Sequence, residues 1–343
     1  MKSAVLHAKR DMRLEDRPKP KPRGTQVLIR VRAVGVCGSD VHYFNDLCIG
    51  HQVVKTPQPV GHEFSGEAVE IGDAVKRIRV GQRLAIEPGL PCHACHQCQA
   101  GRPNCCPNVI FYGTPPVDGC LQEFILAQEE QCIGIPDAMS FAEAAMLEPL
   151  QVGIHAYNLV PCGPGDWVAI VGAGSIGQAV LEMVRSAGAT RIIVTDKLDY
   201  RLDLARRRGA THTVNVTKDD PMAAVLKFTD GLGADVVYEA TNSVDGLPQA
   251  LTLAVIGGRV AAIGIPPVDQ ITIPASHPRR KQLTVQFIRR SAHCARQALE
   301  LVASGKVDVK PWITHRFPLD RVTEAFLLVD GYKDGVLKAV IEL

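Results

Sequence analysis

The sequence predicts an α/β protein of two domains, one β-rich and one built on a doubly wound parallel sheet, and three observations predict it. First, 343 residues are more than one hydrophobic core usually serves. Second, roughly the first 145 residues consist of short apolar or alternating runs broken by Gly and Pro. Third, from about residue 165 strand-like runs alternate with helix-compatible segments, the pattern of a parallel sheet with helices on its faces.

In the first part, VLIRVRAVGV (27–36), FSGEAVEIG (64–72) and RLAIEPG (83–89) are strands bounded by turn residues. WVAIVGAG (167–174) is a short apolar strand that runs into glycines. Behind it Ile176, Ala179, Val180, Met183, Val184 and Ala187 recur on one helical face, and Gly188 stands where that helix should stop. Strand runs at 192–195, 211–216, 234–240, 259–264 and 283–288 bring the sheet to about six strands. From roughly 289 the pattern reads helix, loop, helix and a last strand, VLKAVIEL, which returns to complete the first domain. The expected division is 1–149 with 289–343 for the first domain and 150–288 for the second.

Composition narrows the function. Hydrophobic residues make up 46% and charged residues 22%, ordinary for a soluble globular protein. Lys and Arg total 38 against 36 Asp and Glu, a net charge of +2 that gives no field to hold nucleic acid or an anionic membrane. The N-terminal residues have no apolar signal core, and no run of about 18 apolar residues occurs, so a cytoplasmic protein is expected. In that reducing compartment the 11 cysteines point to metal rather than disulfides.

Gly172, Gly174 and Gly177 form G-x-G-x-x-G between a strand and a helix, with Ser175 and Ile176 at the helix start. The first glycine permits the tight turn, the second lets backbone approach a pyrophosphate, and the third lets helix and strand pack closely. Asp196 ends the next strand, 19 residues after Gly177, where a carboxylate accepts from ribose hydroxyls and repels a 2′-phosphate. NAD is therefore the expected cofactor, although Lys197 and Arg201 stand close enough to keep NADP in view. The bland alternative is a glycine-rich turn without a ligand.

Cys92, Cys95, Cys98 and Cys106 follow C-x2-C-x2-C-x7-C, and four thiolates from one loop can surround Zn²⁺ tetrahedrally with no position left open. Cys105 is an alternative to Cys106, and the x7 spacing favours Cys106. His93 and His96 are read as solvent-facing, and Cys48, Cys120, Cys132, Cys162 and Cys294 as small apolar fillers. A second set is dispersed: Cys37 in GVCGSDVHY, His62 and Glu63 in GHEFSG, and Glu148 in LEPLQVGIHA. None of these is a metal signature by itself.

Together GVCGSDVHY, GHEFSGEAVEIG, the four-cysteine lobe and GAGSIG resemble the zinc-containing medium-chain dehydrogenases, and LEPLQVGIHA and KPWITHRFPLDRVTEAF (310–326) resemble the polyol dehydrogenases among them, such as sorbitol and xylitol dehydrogenase. The similarity runs essentially end to end. It implies a Rossmann domain beside a GroES-like catalytic domain that carries a structural zinc lobe. It further implies a catalytic zinc held by Cys37, His62 and one of two carboxylates, with Glu63 the preferred ligand and Glu148 in the next layer, and Glu148 as direct ligand the alternative. Ser39 then resembles a first relay hydroxyl, His42 continues the relay, and Glu148 is an alternative base, while Ser39 as a helix cap and His42 as a surface residue are the plain readings. Tyr43, Glu148 and Arg289 resemble substrate contacts. Arg290 stands where sorbitol dehydrogenases usually carry a tyrosine; paired arginines leave a sugar acid open as substrate, while the favoured reading of Arg290 is a residue facing solvent or a partner subunit.

The resemblance thus implies NAD(H)-dependent oxidation of a secondary hydroxyl of a polyol to a ketose by a homotetramer or homodimer. A sugar-acid or L-threonine dehydrogenase is the rival within enzymes. A non-catalytic zinc- and NAD-binding protein is the rival outside them.

Overall fold

Ser3, Ala4, Val5 and Leu6 are buried in succession along β1 (Lys2–Ala8), which pairs antiparallel with β2 (Asp11–Asp16). In β3 (Gln26–Gly35) the branched residues Val27, Ile29, Val31 and Val34 are buried, and this strand is the spine of the first unit. It leads into α1 (Gly38–Asp46); β4 (Glu63–Ile71), β5 (Arg83–Ile86), β6 (Phe124–Gln128) and β7 (Cys132–Gly134) follow. Helix α2 (Leu147–Leu159) carries the chain out of this unit.

The second unit then alternates strand and helix: β8 (Trp167–Val171), α3 (Ser175–Ser186), β9 (Arg191–Asp196), α4 (Asp199–Arg207), β10 (His212–Asn215), α5 (Pro221–Phe228), β11 (Ala234–Glu239), α6 (Gly246–Leu253), β12 (Ala254–Ala262) and β13 (Thr284–Phe287). The chain returns to the first unit through α7 (Ala295–Ala303), β14 (Ile313–Pro318), α8 (Val322–Asp330) and β15 (Lys338–Glu342).

This computed structural model describes residues 1–343, and they divide into Met1–Glu148 with Ala295–Leu343, and Pro149–Cys294. The Ile288 N–H donates to the Ala262 carbonyl at the end of the second unit's sheet.

In the first unit a seven-stranded sheet runs β7-β5-β4-β3-β15-β14, with β6 also on β3. One edge of β3 is shared between two partners, with Gln26–Arg30 facing β6 and Ala33–Gly35 facing β15, while its other edge pairs with β4. Val31, Phe44, Phe64, Phe326 and Ala339 belong to one core there, and the rings of Phe44 and Phe326 lie 5.3 Å apart.

The second unit has the six-stranded parallel sheet that its sequence predicts, in the order β10-β9-β8-β11-β12-β13. Both faces are covered. Ile170 packs with Val180 and Val184 on one side, and Ala169 and Val171 with Val225 and Leu251 on the other. That double burial is why these strands read as unbroken apolar runs.

Three elements differ from their sequence reading. β12 begins at Ala254, directly after α6, because Gly257 (φ +78°) and Gly258 interrupt the apolar pattern without ending the strand. β14 lies where the sequence reads as loop, since His315 and Arg316 dilute its apolar residues. Helix α3 buries Gln178 and Glu182 besides its apolar stripe; the Glu182 carboxylate accepts from Arg185 at 2.7 Å and Arg208 at 2.5 Å. No helix is long and apolar enough to cross a membrane.

Candidate active site

β3 ends at Gly35 and delivers Cys37 to the N-terminus of α1. Cys37 caps that helix, and its N–H donates to Asp40 Oδ2 at 3.1 Å. The other oxygen of Asp40, Oδ1, accepts from the Gly61 N–H at 3.2 Å and lies 3.2 Å from His62 Nδ1. One buried carboxylate thus fixes the cysteine turn, the Gly61 turn and the imidazole. With the Nδ1 proton directed at Asp40, the lone pair of His62 is on Nε2, the arrangement of a metal-ligating histidine. Burial pushes the His62 pKa down, but Asp40 and Cys37 outweigh it and hold it well above the usual histidine value. Positive charge is favoured at this place.

Glu63 opens β4 opposite Gly35. Its carboxylate is wholly buried, and Lys338, the first residue of β15, reaches it with Nζ at 2.7 Å from Oε1 and 2.8 Å from Oε2. The ammonium gives its third hydrogen to the Val36 carbonyl at 3.2 Å. Gly35 is needed here, since a Cβ on it would lie 2.1 Å from Glu63 Oε2.

A ligand atom from each of Cys37, His62 and Glu63 lies within 4.8 Å of the others. One sulfur, one nitrogen and one oxygen suit zinc, and three protein ligands are the number left by a catalytic zinc with an open position. Lys338 engages both Glu63 oxygens, yet each retains a second lone pair. Glu148 is outside this group. Burial raises its pKa to about 8, and Glu63 and Glu87 reinforce the rise while His62 and Lys338 oppose it. Ser39 and His42 are partly buried on α1, three residues apart and on one helical face. Tyr43 is buried, with its hydroxyl 3.4 Å from Gln52 Oε1.

The second cluster is the cysteine lobe. Cys92, Cys95, Cys98 and Cys106 bring their sulfurs within 4.8 Å of one another. Backbone N–H groups of Ala94 and Cys95 lower the Cys92 pKa to about 6, whereas burial among the other sulfurs pushes Cys98 up to about 12. Four thiolates are compatible only around a cation, and a tetrahedral zinc fits the donor set. Cys106 is buried and turned into the cluster, while Cys105 is exposed. His93 and His96 are exposed, as read from the sequence.

In the second unit Gly172 adopts φ +96°, and a Cβ on Gly177 would lie 1.9 Å from the Gly172 carbonyl oxygen, which is the close packing the third glycine serves. Gly174 caps α3, followed by Ser175 and Ile176, so the helix N–H groups point toward the glycine loop. Asp196 accepts from the N–H groups of Ala173 at 2.7 Å and Leu198 at 2.9 Å, fixing its carboxylate beside that loop. Arg201 Nη1 would be 3.6 Å from a Cβ on Gly174. Arg289 is exposed just after β13, and Arg290 follows, partly buried with φ +53°.

Sequence reasoning passed over Asp40, Glu87 and Lys338. Asp40 stands three residues after Cys37, the spacing of a capping box, and Lys338 is a single cation inside an otherwise apolar strand; both were available signals.

Residues 23–137 match the family described as alcohol dehydrogenase GroES-like domain, and residues 175–304 match the family described as zinc-binding dehydrogenase. The chain is 37% identical over 341 residues to sorbitol dehydrogenase of Bacillus subtilis strain 168, covering 99% of this chain and 97% of that one. A solved oxidoreductase of unknown specificity from Escherichia coli superposes with a TM-score of 0.93 at 34% identity, covering 99% and 98% of the two chains. The 2R,3R-butanediol dehydrogenase of Bacillus subtilis does so with a TM-score of 0.89 at 30% identity, covering 100% and 99%.

Proposed function

Because the chain belongs to the zinc-binding, GroES-like alcohol dehydrogenase family, we propose that Cys37, His62 and Glu63 hold a zinc ion beside which a secondary hydroxyl of a polyol is oxidised to a ketone with NAD. The enzyme is a polyol oxidoreductase of the sorbitol dehydrogenase type, with zinc and NAD as its cofactors. The observation that carries the site assignment is the grouping of one thiol, one imidazole and one carboxylate within 4.8 Å. When bound, zinc supplies a Lewis acid that eases loss of the hydroxyl proton, and NAD accepts the hydride.

The chain's own residues do the rest. Asp40 holds His62 in one tautomer. Lys338 restrains Glu63. Ser39 takes the hydroxyl proton and His42 passes it on, with Glu148 as the alternative acceptor; a carboxyl whose pKa is lifted to about 8 is matched to proton exchange near neutrality. Tyr43, Glu148 and Arg289 hold substrate hydroxyls. Gly172, Gly174, Ser175, Ile176 and Gly177 cradle the pyrophosphate, and Asp196 takes the adenosine ribose, with Arg201 beside it. Cys92, Cys95, Cys98 and Cys106 hold a second, structural zinc.

Eleven free cysteines suit the cytoplasm. β13 is an edge strand with Phe287 67% exposed, next to β12 with Ile256 76% exposed, a surface suited to strand pairing between copies in a homotetramer or homodimer.

The test is a substrate panel of sorbitol, xylitol, a 2,3-diol, a sugar acid and L-threonine with NAD⁺, read at the NADH absorbance. Polyols are expected to turn over best; activity confined to the carboxylate-bearing substrates overturns the reading. Metal analysis should return about two zincs per chain, and about one in Cys37→Ser.

A further inference from the structure

Glu239 ends β11 and is 4% exposed, a buried carboxylate that the chemistry above does not use. In the order β10-β9-β8-β11-β12-β13 the winding reverses between β8 and β11. A dinucleotide lies across the carboxyl ends of the strands at such a reversal, one half over each set of three strands. The glycine loop leaves β8 on one side of it, and the segment from Ala240 leaves β11 on the other. The two segments touch: a Cβ on Gly172 would lie 2.8 Å from the Ala240 carbonyl oxygen and 2.8 Å from Thr241 Cγ2.

Glu239 ties the second half together from behind. Its Oε1 accepts from the Thr241 N–H at 2.7 Å and the Thr241 hydroxyl at 2.6 Å. Its Oε2 accepts from the Gly264 N–H at 3.0 Å, just beyond β12. Two glycines let the loops close onto the carboxylate. A Cβ on Gly246 would lie 2.5 Å from Oε1, and one on Gly264 would lie 2.7 Å from both oxygens and 1.9 Å from the Thr241 carbonyl oxygen. One side chain therefore sets the loops that follow two neighbouring strands. Burial raises the Glu239 pKa against the pull of these donors, so the group is held in place at an electrostatic cost.

We propose that Glu239 is a positioning residue for the nicotinamide half of the cofactor: it fixes the Thr241 and Gly264 loops as the support on which that half rests. The adenosine half rests on the opposite set of strands, at Asp196. The inference rests on the NAD reading of the glycine fingerprint, and its test separates the two.

Glu239→Gln keeps the shape but puts an amide donor against an N–H donor. Binding of NADH, by its fluorescence, is compared with binding of ADP-ribose, which lacks the nicotinamide, on zinc-loaded full-length protein. The NADH Kd is expected to rise about tenfold or more, the cost of one spoiled charge-assisted hydrogen bond, while that of ADP-ribose moves by less than about threefold and zinc content stays constant. Thr241→Val removes only the hydroxyl donor; it should weaken NADH selectively by a smaller factor and decides the matter if Glu239→Gln fails to fold. Equal weakening of both ligands, or no change in NADH, overturns the role of Glu239. Failure of the unaltered protein to bind either ligand overturns the cofactor reading itself.

Discussion

Lys338 offers the sharpest test of the electrostatics at the candidate zinc site. Its side chain and that of Glu63 are 1% and 0% exposed, and its three hydrogens go to the two carboxylate oxygens and the Val36 carbonyl. Lys338→Met leaves the carboxylate buried with its cation gone. Removing one partner of such a pair typically costs about 3–5 kcal/mol, far more than an exposed pair contributes. For a unit of this size each kcal/mol moves the midpoint by about 2–4 °C, so the metal-free variant should melt about 10 °C lower in calorimetry after chelator treatment. Two comparisons isolate the cause. The double variant Glu63→Gln, Lys338→Met removes both charges and should recover most of the loss, because the penalty belongs to the unpaired carboxylate. Added Zn²⁺ should also restore most of the midpoint in Lys338→Met, since the ion replaces the missing positive charge and binds only the folded form. A metal-free Lys338→Met that melts within about 3 °C of the parent would refute the reasoning, as would equal losses in the single and double variants.

Three further outcomes follow from the same geometry. Asp40→Asn weakens the hold on the His62 tautomer, so zinc affinity at that site should fall about 10–100-fold in a chelator competition, while the lobe zinc is unaffected. Glu148 has a folded pKa raised from 4.5 to about 8, so the stability it contributes is complete below 4.5 and is lost as pH rises through about 8. In metal-free protein the midpoint difference between the parent and Glu148→Gln should therefore change across that window in the sense of falling parent stability, and parallel curves would contradict the assignment. Gly177→Ala places a methyl 1.9 Å from the Gly172 carbonyl oxygen, backbone that cannot move aside, so NADH binding should be lost in fluorescence titration while the lobe keeps its zinc.

The nucleotide-binding half was the more legible one. β8, β9 and β11 are covered on both faces, so each reads as a continuous apolar run, and the glycines between β8 and α3 are contiguous in sequence. The cysteine lobe was legible for the same local reason: all four sulfurs come from one loop. The candidate catalytic group was not, because Cys37, His62 and Glu63 meet only through the pairing of β3 with β4, and their connection came from resemblance rather than spacing. Lys338 is 275 residues from Glu63, beyond the reach of any local pattern, although a lysine in VLKAVIEL demands a buried partner. β14 is not legible because it lies half-exposed, where strand chemistry is weakest.

The placement of β15 bears on how the molecule comes into being. It lies between β3 and β14 in the first unit's sheet, yet it follows the entire second unit along the chain. The nucleotide-binding unit is therefore synthesised while the sheet that precedes it still lacks an interior member. Throughout that interval Glu63 awaits its ammonium, and any cation that meets the nascent protein finds a carboxylate whose permanent counterion has yet to be translated.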